Sequence, residues 1–489
     1  MEPIEIVDRL GRWSSGRGRL SALLAGRIRE LIDDGELRPG EPLPTDRALA
    51  AALAVGRSTV VAAYEMLRAD GRVVRRQGSG TQVAGERESE PPTGLLGDLP
   101  SPDTSAPIFL QHIEPQPGAI PLASAAPTAP PATLLDAQRR VLDRIDGDPT
   151  SDPAEIDFGY YPAGHPRLRS AIADYYRRLG VPTDPAQILV SNGSQQAISL
   201  LTRLLITPGD RVLVEAPTYP GALEVFRAGG ADLVPLQVGM ADLPASIAAR
   251  PAALAYLVAT HHNPTGRLLG ALPGERLARA ADVAGMWLID DRSLGDLVFP
   301  GGRTPKPLAA HAERVITLGS LSKVVWGGLR VGWVRAPRPL INRLTRVRAV
   351  HDIGGSVLTQ LAAADLVDDL DRLSAETGRR LKTSHDHLCA ALADRLPDWE
   401  FEPAVGGQSL WVRLPYGDGD SFAQEAMRHG VAVLPGSGLD ISGGGVDYLR
   451  LHFQLSPEVL TDAVRRLATA WQAYRPPVEP LVDRPKLAV

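Results

Sequence analysis

One lysine, Lys323, stands in the run Ser320-Leu-Ser-Lys-Val-Val-Trp-Gly-Gly-Leu-Arg-Val-Gly332. Ser320 and Ser322 precede it, and Arg330 follows between glycines. A lysine amine held in a tight turn can condense with an aldehyde to form a Schiff base. Two hydroxyls and a guanidinium beside it can neutralise a phosphate on the same molecule. Aldehyde and phosphate together describe pyridoxal 5′-phosphate, whose ring is an electron sink. A solitary lysine in a glycine-rich loop is ordinarily a surface residue. The flanking hydroxyls and the arginine give this one a chemical reading.

Four further segments carry the residue types such a molecule needs. Ser191-Asn-Gly-Ser-Gln-Gln196 leads from a strand-like run into a helical one. Backbone N–H groups around Gly193, Ser194 and Gln195 can therefore meet a phosphate at a helix N-terminus. Glu215-Ala-Pro-Thr-Tyr-Pro-Gly221 offers Tyr219, an aromatic face for a planar ring. His262-Asn-Pro-Thr-Gly266 offers Asn263 as a hydrogen-bond partner for a phenolic oxygen. Ile289-Asp-Asp291 ends a strand with two carboxylates, one of which can pair with a pyridinium nitrogen and keep it protonated. Period-two alternation sends Asp290 and Asp291 to opposite faces, so only one can point into a site, and both registers stay open. Taken singly, these segments are a capped helix, a loop aromatic, a turn and a capping acid.

The elements that must hold these residues are legible as short apolar runs at 188–190, 211–215, 254–258, 287–290 and 315–318. Helical stretches lie between most of them, as at 195–205 and 275–284. Apolar strands alternating with helices imply a mostly parallel, buried sheet. Later runs at 409–414 and 448–453 imply a smaller C-terminal α+β subdomain.

The first 83 residues follow a different pattern. Leu20, Leu23, Leu24, Ile28, Leu31 and Ile32 line one face of a helix that Gly35 can stop. Thr45 can cap a second helix, and a third is expected over 57–69 after the turn Ala54-Val-Gly56. Two strand-like runs, 72–76 and 80–83, then form a hairpin. Three helices and a hairpin make a winged helix-turn-helix, whose third helix enters the DNA major groove. Gly56, Arg57, Ser58 and Thr59 stand at its N-terminus, where base edges and phosphates are met. Arg47 can clamp the backbone, and Gly78 at the wing tip can approach the minor groove. Between Thr45 and Val83 there are six arginines against three acidic residues, a local basic bias in a chain of net charge −5.

Leu37-Arg-Pro-Gly-Glu-Pro-Leu-Pro-Thr-Asp-Arg-Ala-Leu-Ala50, Val55-Gly-Arg-Ser-Thr-Val-Val-Ala-Ala-Tyr64, Asp70-Gly-Arg-Val73 and Gly78-Ser-Gly-Thr-Gln-Val83 together resemble the GntR family of bacterial regulators, over residues 20–83. One departure is Gly56, where relatives usually carry Ser or Thr. The lysine run, the four cofactor segments and Arg450 resemble, residue by residue, a fold-type I aminotransferase-like domain. Tyr160-Tyr-Pro-Ala-Gly-His-Pro-Arg-Leu-Arg169, within 155–179, resembles that family's approach segment. Joined by a long linker, the whole resembles the MocR subfamily of GntR regulators from about residue 20 to 472. The resemblance implies pyridoxal 5′-phosphate on Lys323, a carboxylate-binding role for Arg450, and Asp291 rather than Asp290 beside the pyridine nitrogen. It also implies a homodimer with its DNA-binding heads swapped across it. A second departure is the tyrosine that many relatives carry two or three positions after that aspartate. Ser293 and Leu294 stand there instead, which puts efficient transamination in doubt.

The expected organisation is a winged helix-turn-helix at 1–83, a flexible Pro/Ser/Gly-rich linker at 84–118, an aminotransferase-like domain at 119–475 and a tail at 476–489. The expected function is a cofactor-dependent transcriptional regulator that binds a double-stranded DNA operator. Its effector is an amine, an amino acid or the cofactor itself. The alternative is an active aminotransferase with an accessory DNA-binding head. Composition agrees with a globular chain: 489 residues, 44% hydrophobic and 22% charged. With one cysteine, Cys389, no intrachain disulfide can form. No run approaches a membrane helix and no secretory leader pattern opens the chain, so a cytoplasmic location is expected. No cluster with metal-ligand spacing stands out.

Overall fold

The computed structural model describes residues 3–11, 13–14, 19–76, 80–84, 118–124, 127, 130–146, 158–238 and 243–476. The wing tip with Gly78, almost all of the expected linker 84–118, the start of the approach segment and the tail beyond 476 lie outside the described residues. The chain forms two compact units. One contains the N-terminal helices and wing, with 414–434 and the chain from 465. The other contains 122–413 and 435–464.

In the first unit, helix Leu20–Asp33 buries Leu24, Ile28 and Leu31, the face that its spacing predicts. Helix Asp46–Leu53 starts at Thr45, whose Oγ1 accepts the Ala48 N–H at 3.2 Å. That bond satisfies one donor a helix start leaves open. Ala54 is left-handed (φ 52°) and turns the chain into helix Arg57–Ala69. Strands Val73–Arg76 and Gly80–Val83 pair antiparallel as the wing. Leu49, Val60 and Leu67 are fully buried among these elements. Truncating one such leucine to alanine costs about 2–5 kcal/mol. A helix not anticipated from the sequence, Pro3–Leu10, adds Ile6 and Leu10 to the same core, and Trp13 follows them.

The second unit is built on seven strands in the order Ile188–Ser191, Gly332–Arg335, Val315–Ser320, Trp287–Asp291, Leu254–Leu257, Arg211–Ala216, Asp232–Gln237. Gly332–Arg335 runs antiparallel to both neighbours, and the other pairings are parallel. The fold is therefore α/β with a mostly parallel sheet, as the alternation of strands and helices predicts. Helices Ser194–Leu205, Pro220–Ala228 and Arg338–His351 cover one face through Ala197, Ile198, Phe226 and Leu344. Helix Ala271–Val283 covers the other through Leu277, Ala278 and Ala281. A separate antiparallel set pairs Ser409–Arg413 with Glu400–Phe401 and with Tyr448–His452, the expected small C-terminal sheet. Among the described residues no single helix is long and apolar enough to cross a membrane.

Candidate active site and nucleic-acid interface

Lys323 lies in the turn that leaves strand Val315–Ser320. Ser320 Oγ accepts the Ser322 N–H at 3.1 Å and donates to the Val331 carbonyl at 3.4 Å, closing the turn from both sides. Part of the lysine surface stays open, but dense protein surrounds it. Burial pushes its amine down to about 8, and the Arg450 and Arg330 charges act in the same direction against Asp291. An amine so placed is partly neutral near pH 7, as nucleophilic attack on a carbonyl requires.

Arg330 is not in the strand that follows. It ends a short 3₁₀ turn in the left-handed region (φ 55°). From there its Nη2 donates to the Asn192 carbonyl at 2.6 Å. Gly193 (φ 81°) is the N-cap of helix Ser194–Leu205, and a Cβ on it would lie 2.7 Å from Arg330 Nη2. Gly332 abuts the same helix start, where a Cβ would lie 2.8 Å from the Ser194 nitrogen. Two glycines thus let a guanidinium and a strand close on a helix N-terminus that has no side-chain cap. Helix N–H groups and the arginine together make an anion cradle. Gln195 Nε2 donates to the Gly221 carbonyl at 2.9 Å, and its Oε1 is buried without a partner. Tyr219 precedes helix Pro220–Ala228, its ring folded over Gly221. Burial pushes its phenol up to about 12, with Asp291 in the same sense and Arg450 and Arg330 opposing.

The two aspartates separate as alternation requires. Asp291 Oδ2 accepts the Tyr256 hydroxyl at 2.6 Å, and Oδ1 accepts the Ser293 N–H at 2.9 Å. Tyr256 belongs to the sheet face packed by helix Ser194–Leu205, the helix whose N-terminus forms the cradle. Asp290, fully buried, turns to the other face, where its Oδ2 accepts the Leu308 N–H at 3.0 Å. Burial holds the Asp290 carboxyl above its ordinary range, against the Arg292 charge. Asp291 is the one that shares its surroundings with Lys323 and Tyr219. In place of the missing phenol, the Ser293 hydroxyl is buried without a partner, and Leu294 is buried beside it.

Asn263 precedes a cis peptide bond to Pro264. Its Oδ1 accepts Arg450 Nη1 at 3.1 Å, and Arg450 Nη2 donates to the Ala123 carbonyl. Arg450 is 8% exposed, its Nε has no partner, and burial pushes its guanidinium down to about 10. Sequence reasoning missed Tyr256, Asn192 and Gly332. The available signal for Tyr256 was a phenol inside an otherwise apolar strand. Among the described residues no group of three or more His, Cys, Asp or Glu could hold a metal ion.

On the N-terminal module, Arg47 and Arg57 are exposed and Gly56 caps the third helix. Arg57 Nε is paired with Asp46 Oδ2 at 2.7 Å, which steers the guanidinium along the surface. Ser58 is partly exposed, with its Oγ buried and unpartnered. Thr59 departs from the expected set of DNA contacts: it is 2% exposed and faces the core, one helical step round from Ser58.

Residues 131–467 match the family of aminotransferases class I and II, and residues 20–83 match the bacterial regulatory proteins of the gntR family. The chain is 29% identical to the uncharacterised HTH-type transcriptional regulator YisV of Bacillus subtilis, covering 87% of this chain and 91% of that one. It is 28% identical to the probable rhizopine catabolism regulatory protein MocR of Rhizobium meliloti, over 91% and 92%. Its fold is similar to the α-aminoadipate aminotransferase LysN of Thermus thermophilus, complexed with N-(5′-phosphopyridoxyl)-L-leucine. That match has a TM-score of 0.66 and 26% identity over 73% of this chain and 93% of that one. The chain belongs to the aminotransferase class I and II family and, with its gntR-type helix-turn-helix head, to the MocR subfamily of GntR regulators.

Proposed function

We propose that this protein is a transcriptional regulator that binds pyridoxal 5′-phosphate and an amine or amino acid in its aminotransferase-like domain and an operator through its head. The observation that carries this reading is the shared electrostatic surroundings of Lys323, Asp291, Tyr219, Arg330 and Arg450 in a chain that also has a helix-turn-helix module. The residues fit the cofactor. An uncapped helix start meets a guanidinium, as a phosphate needs, and the buried hydroxyl of Ser293 has no protein partner. When bound, pyridoxal 5′-phosphate supplies an aldehyde for a lysine amine and a ring that withdraws electrons. Gly193, Ser194, Gln195, Ser320, Ser322 and Arg330 would hold the phosphate end. Tyr219 would flank the ring, Asn263 would bond its phenolic oxygen, and Asp291 would hold a proton on its nitrogen. Tyr256 orients Asp291 for that task. Arg450 gives the charge that recognises an effector carboxylate.

The working form is a homodimer with the heads exchanged, located in the cytoplasm with its DNA. An apolar patch supports self-association: Phe158, Tyr160, Val350, Ile353 and Leu358 are exposed, and Gly354 lies against the Tyr161 carbonyl. Any switch requires the effector to bind two arrangements of the protein with different affinity. The test is an absorbance titration of the purified protein with pyridoxal 5′-phosphate, then with a panel of amines, alongside operator binding. Spectral changes that move operator affinity support a sensor. Sustained keto-acid production with no change in DNA binding would support the aminotransferase reading, which the intact lysine site keeps open.

A further inference from the structure

Helix Arg338–His351 ends at Asp352, an acid at the negative end of the helix dipole, where a carboxylate is disfavoured. The same helix supplies part of the compensation. Arg348, 1% exposed, donates from Nε to Asp352 Oδ1 at 3.0 Å. The Gly354 N–H donates to that oxygen at 3.1 Å. The second oxygen, Oδ2, reaches the turn before helix Ser194–Leu205. It accepts Gln196 Nε2 at 2.5 Å and Asn192 Nδ2 at 3.4 Å.

These bonds decide which way the Gln196 amide faces. Burial works to raise the Asp352 carboxyl, but its bonds from Arg348 and Gln196 hold it below the ordinary carboxylate range. It is therefore ionised at neutral pH and can only accept. Gln196 must give it the NH₂ group, which leaves Gln196 Oε1 to accept the Asn192 N–H at 2.8 Å. The Asn192 carbonyl in turn accepts Arg330 Nη2. Asn192 is thus held at its N–H, its side chain and its carbonyl, and Gly193, the N-cap of the cradle helix, follows it. The packing leaves little slack. A Cβ on Gly355 would lie 3.0 Å from Asn192 Oδ1, and one on Gly354 (φ 135°) would lie 2.6 Å from the Tyr161 carbonyl oxygen.

We propose that Asp352 is a positioning residue for phosphate: through Gln196 and Asn192 it fixes the turn that presents the helix N–H groups and Arg330 to that group. This rests on the reading that pyridoxal 5′-phosphate binds at Lys323 and the cradle. A carboxylate repels a phosphate, so Asp352 acts through the two amides and not by contact. Were Asp352 needed only to neutralise Arg348, ligands with and without a phosphate would respond alike to its loss.

The test compares pyridoxal 5′-phosphate with 5′-deoxypyridoxal, which keeps the aldehyde and ring but has no phosphate. Both are titrated by absorbance into the full chain, with circular dichroism to confirm folding. Asp352→Asn keeps the shape but offers an NH₂ group where Gln196 needs an acceptor. Gln196→Ala removes the amide at a half-buried position near the helix start. Each should weaken pyridoxal 5′-phosphate about tenfold or more and leave 5′-deoxypyridoxal within about twofold. The double variant should bind no more than about threefold worse than the weaker single one, because the two residues act in series. If Asp352→Asn fails to fold for want of a partner to Arg348, Gln196→Ala carries the comparison alone. Equal weakening of both ligands, unchanged phosphate-ligand affinity in a folded variant, or independent effects in the double variant overturns the proposal. Failure of the unmodified protein to bind either ligand overturns instead the reading on which it rests, and the proposal with it.

Discussion

Capture of pyridoxal 5′-phosphate should follow the titration of a depressed lysine. Only the neutral amine attacks an aldehyde, and burial moves Lys323 from 10.5 down to about 8. At pH 7.5 such an amine is about one quarter neutral, against roughly 0.1% for an ordinary lysine, a gain on the order of 200-fold in reactive fraction. The rate of capture should therefore be low at pH 6, rise through a midpoint near 8 and level off above it. The neighbours fix the signs of two variants. Arg450 depresses the lysine, so Arg450→Gln should move the midpoint up. Asp291 opposes that depression, so Asp291→Asn should move it down. Stopped-flow absorbance of cofactor-free protein mixed with pyridoxal 5′-phosphate, between pH 6 and 10, measures all three. A midpoint near 10 in the unmodified protein, or shifts of the same sign in the two variants, would refute the reasoning.

Asp291→Ala should lose cofactor retention and alter its spectrum. Asp290→Ala should keep the spectrum but leave the Leu308 N–H unpaired, at about 1–3 kcal/mol in a denaturant melt. Reversal of those two phenotypes would move the pyridine partner to Asp290. Gly193→Ala sets a Cβ 2.7 Å from Arg330 Nη2 at a φ of 81°, so affinity for pyridoxal 5′-phosphate should fall at least tenfold while the DNA-binding head is unaffected. A cofactor titration and an operator-binding assay on the same preparation check both halves. Arg57→Ala should weaken operator binding by roughly 1–3 kcal/mol if it reads a base edge. Its exposed pair with Asp46 is worth less than about 1 kcal/mol to folding, so a stability loss cannot account for that change. Equal loss on all DNA sequences would make Arg57 a phosphate contact, and no loss would remove it from the interface.

Local rules made much of this fold readable. Thr45 caps where it was expected to, helix Arg57–Ala69 matches its predicted span, and the apolar strands fall within a residue or two of their runs. What the sequence hid depended on neighbours far along the chain. Strand Asp232–Gln237 was not recognised because Pro235 interrupts it and half of its residues are exposed. It survives because it lies at the sheet edge, paired only with Arg211–Ala216, where a missing N–H is tolerated. Helix Pro3–Leu10 is eight residues long, too short for periodicity to announce it before tertiary packing is known. Alternation alone separated Asp290 from Asp291 without saying which faced the site. Leu308 and Tyr256, from other elements, distinguish them. Thr59 went wrong because a helix start has an inner side too.

The bond from Arg450 to the Ala123 carbonyl joins residues 327 apart in sequence. On the ribosome that distance becomes a schedule. The head needs nothing beyond about residue 84 for its core, so it can fold early in synthesis. The candidate site lacks one wall until Arg450 has emerged. At about 5–20 residues per second, the interval between the two is roughly 20 to 70 s. For that time the nascent chain carries a finished DNA-binding module and an unfinished site. The order of synthesis thus makes the DNA-binding module available before the candidate site is complete.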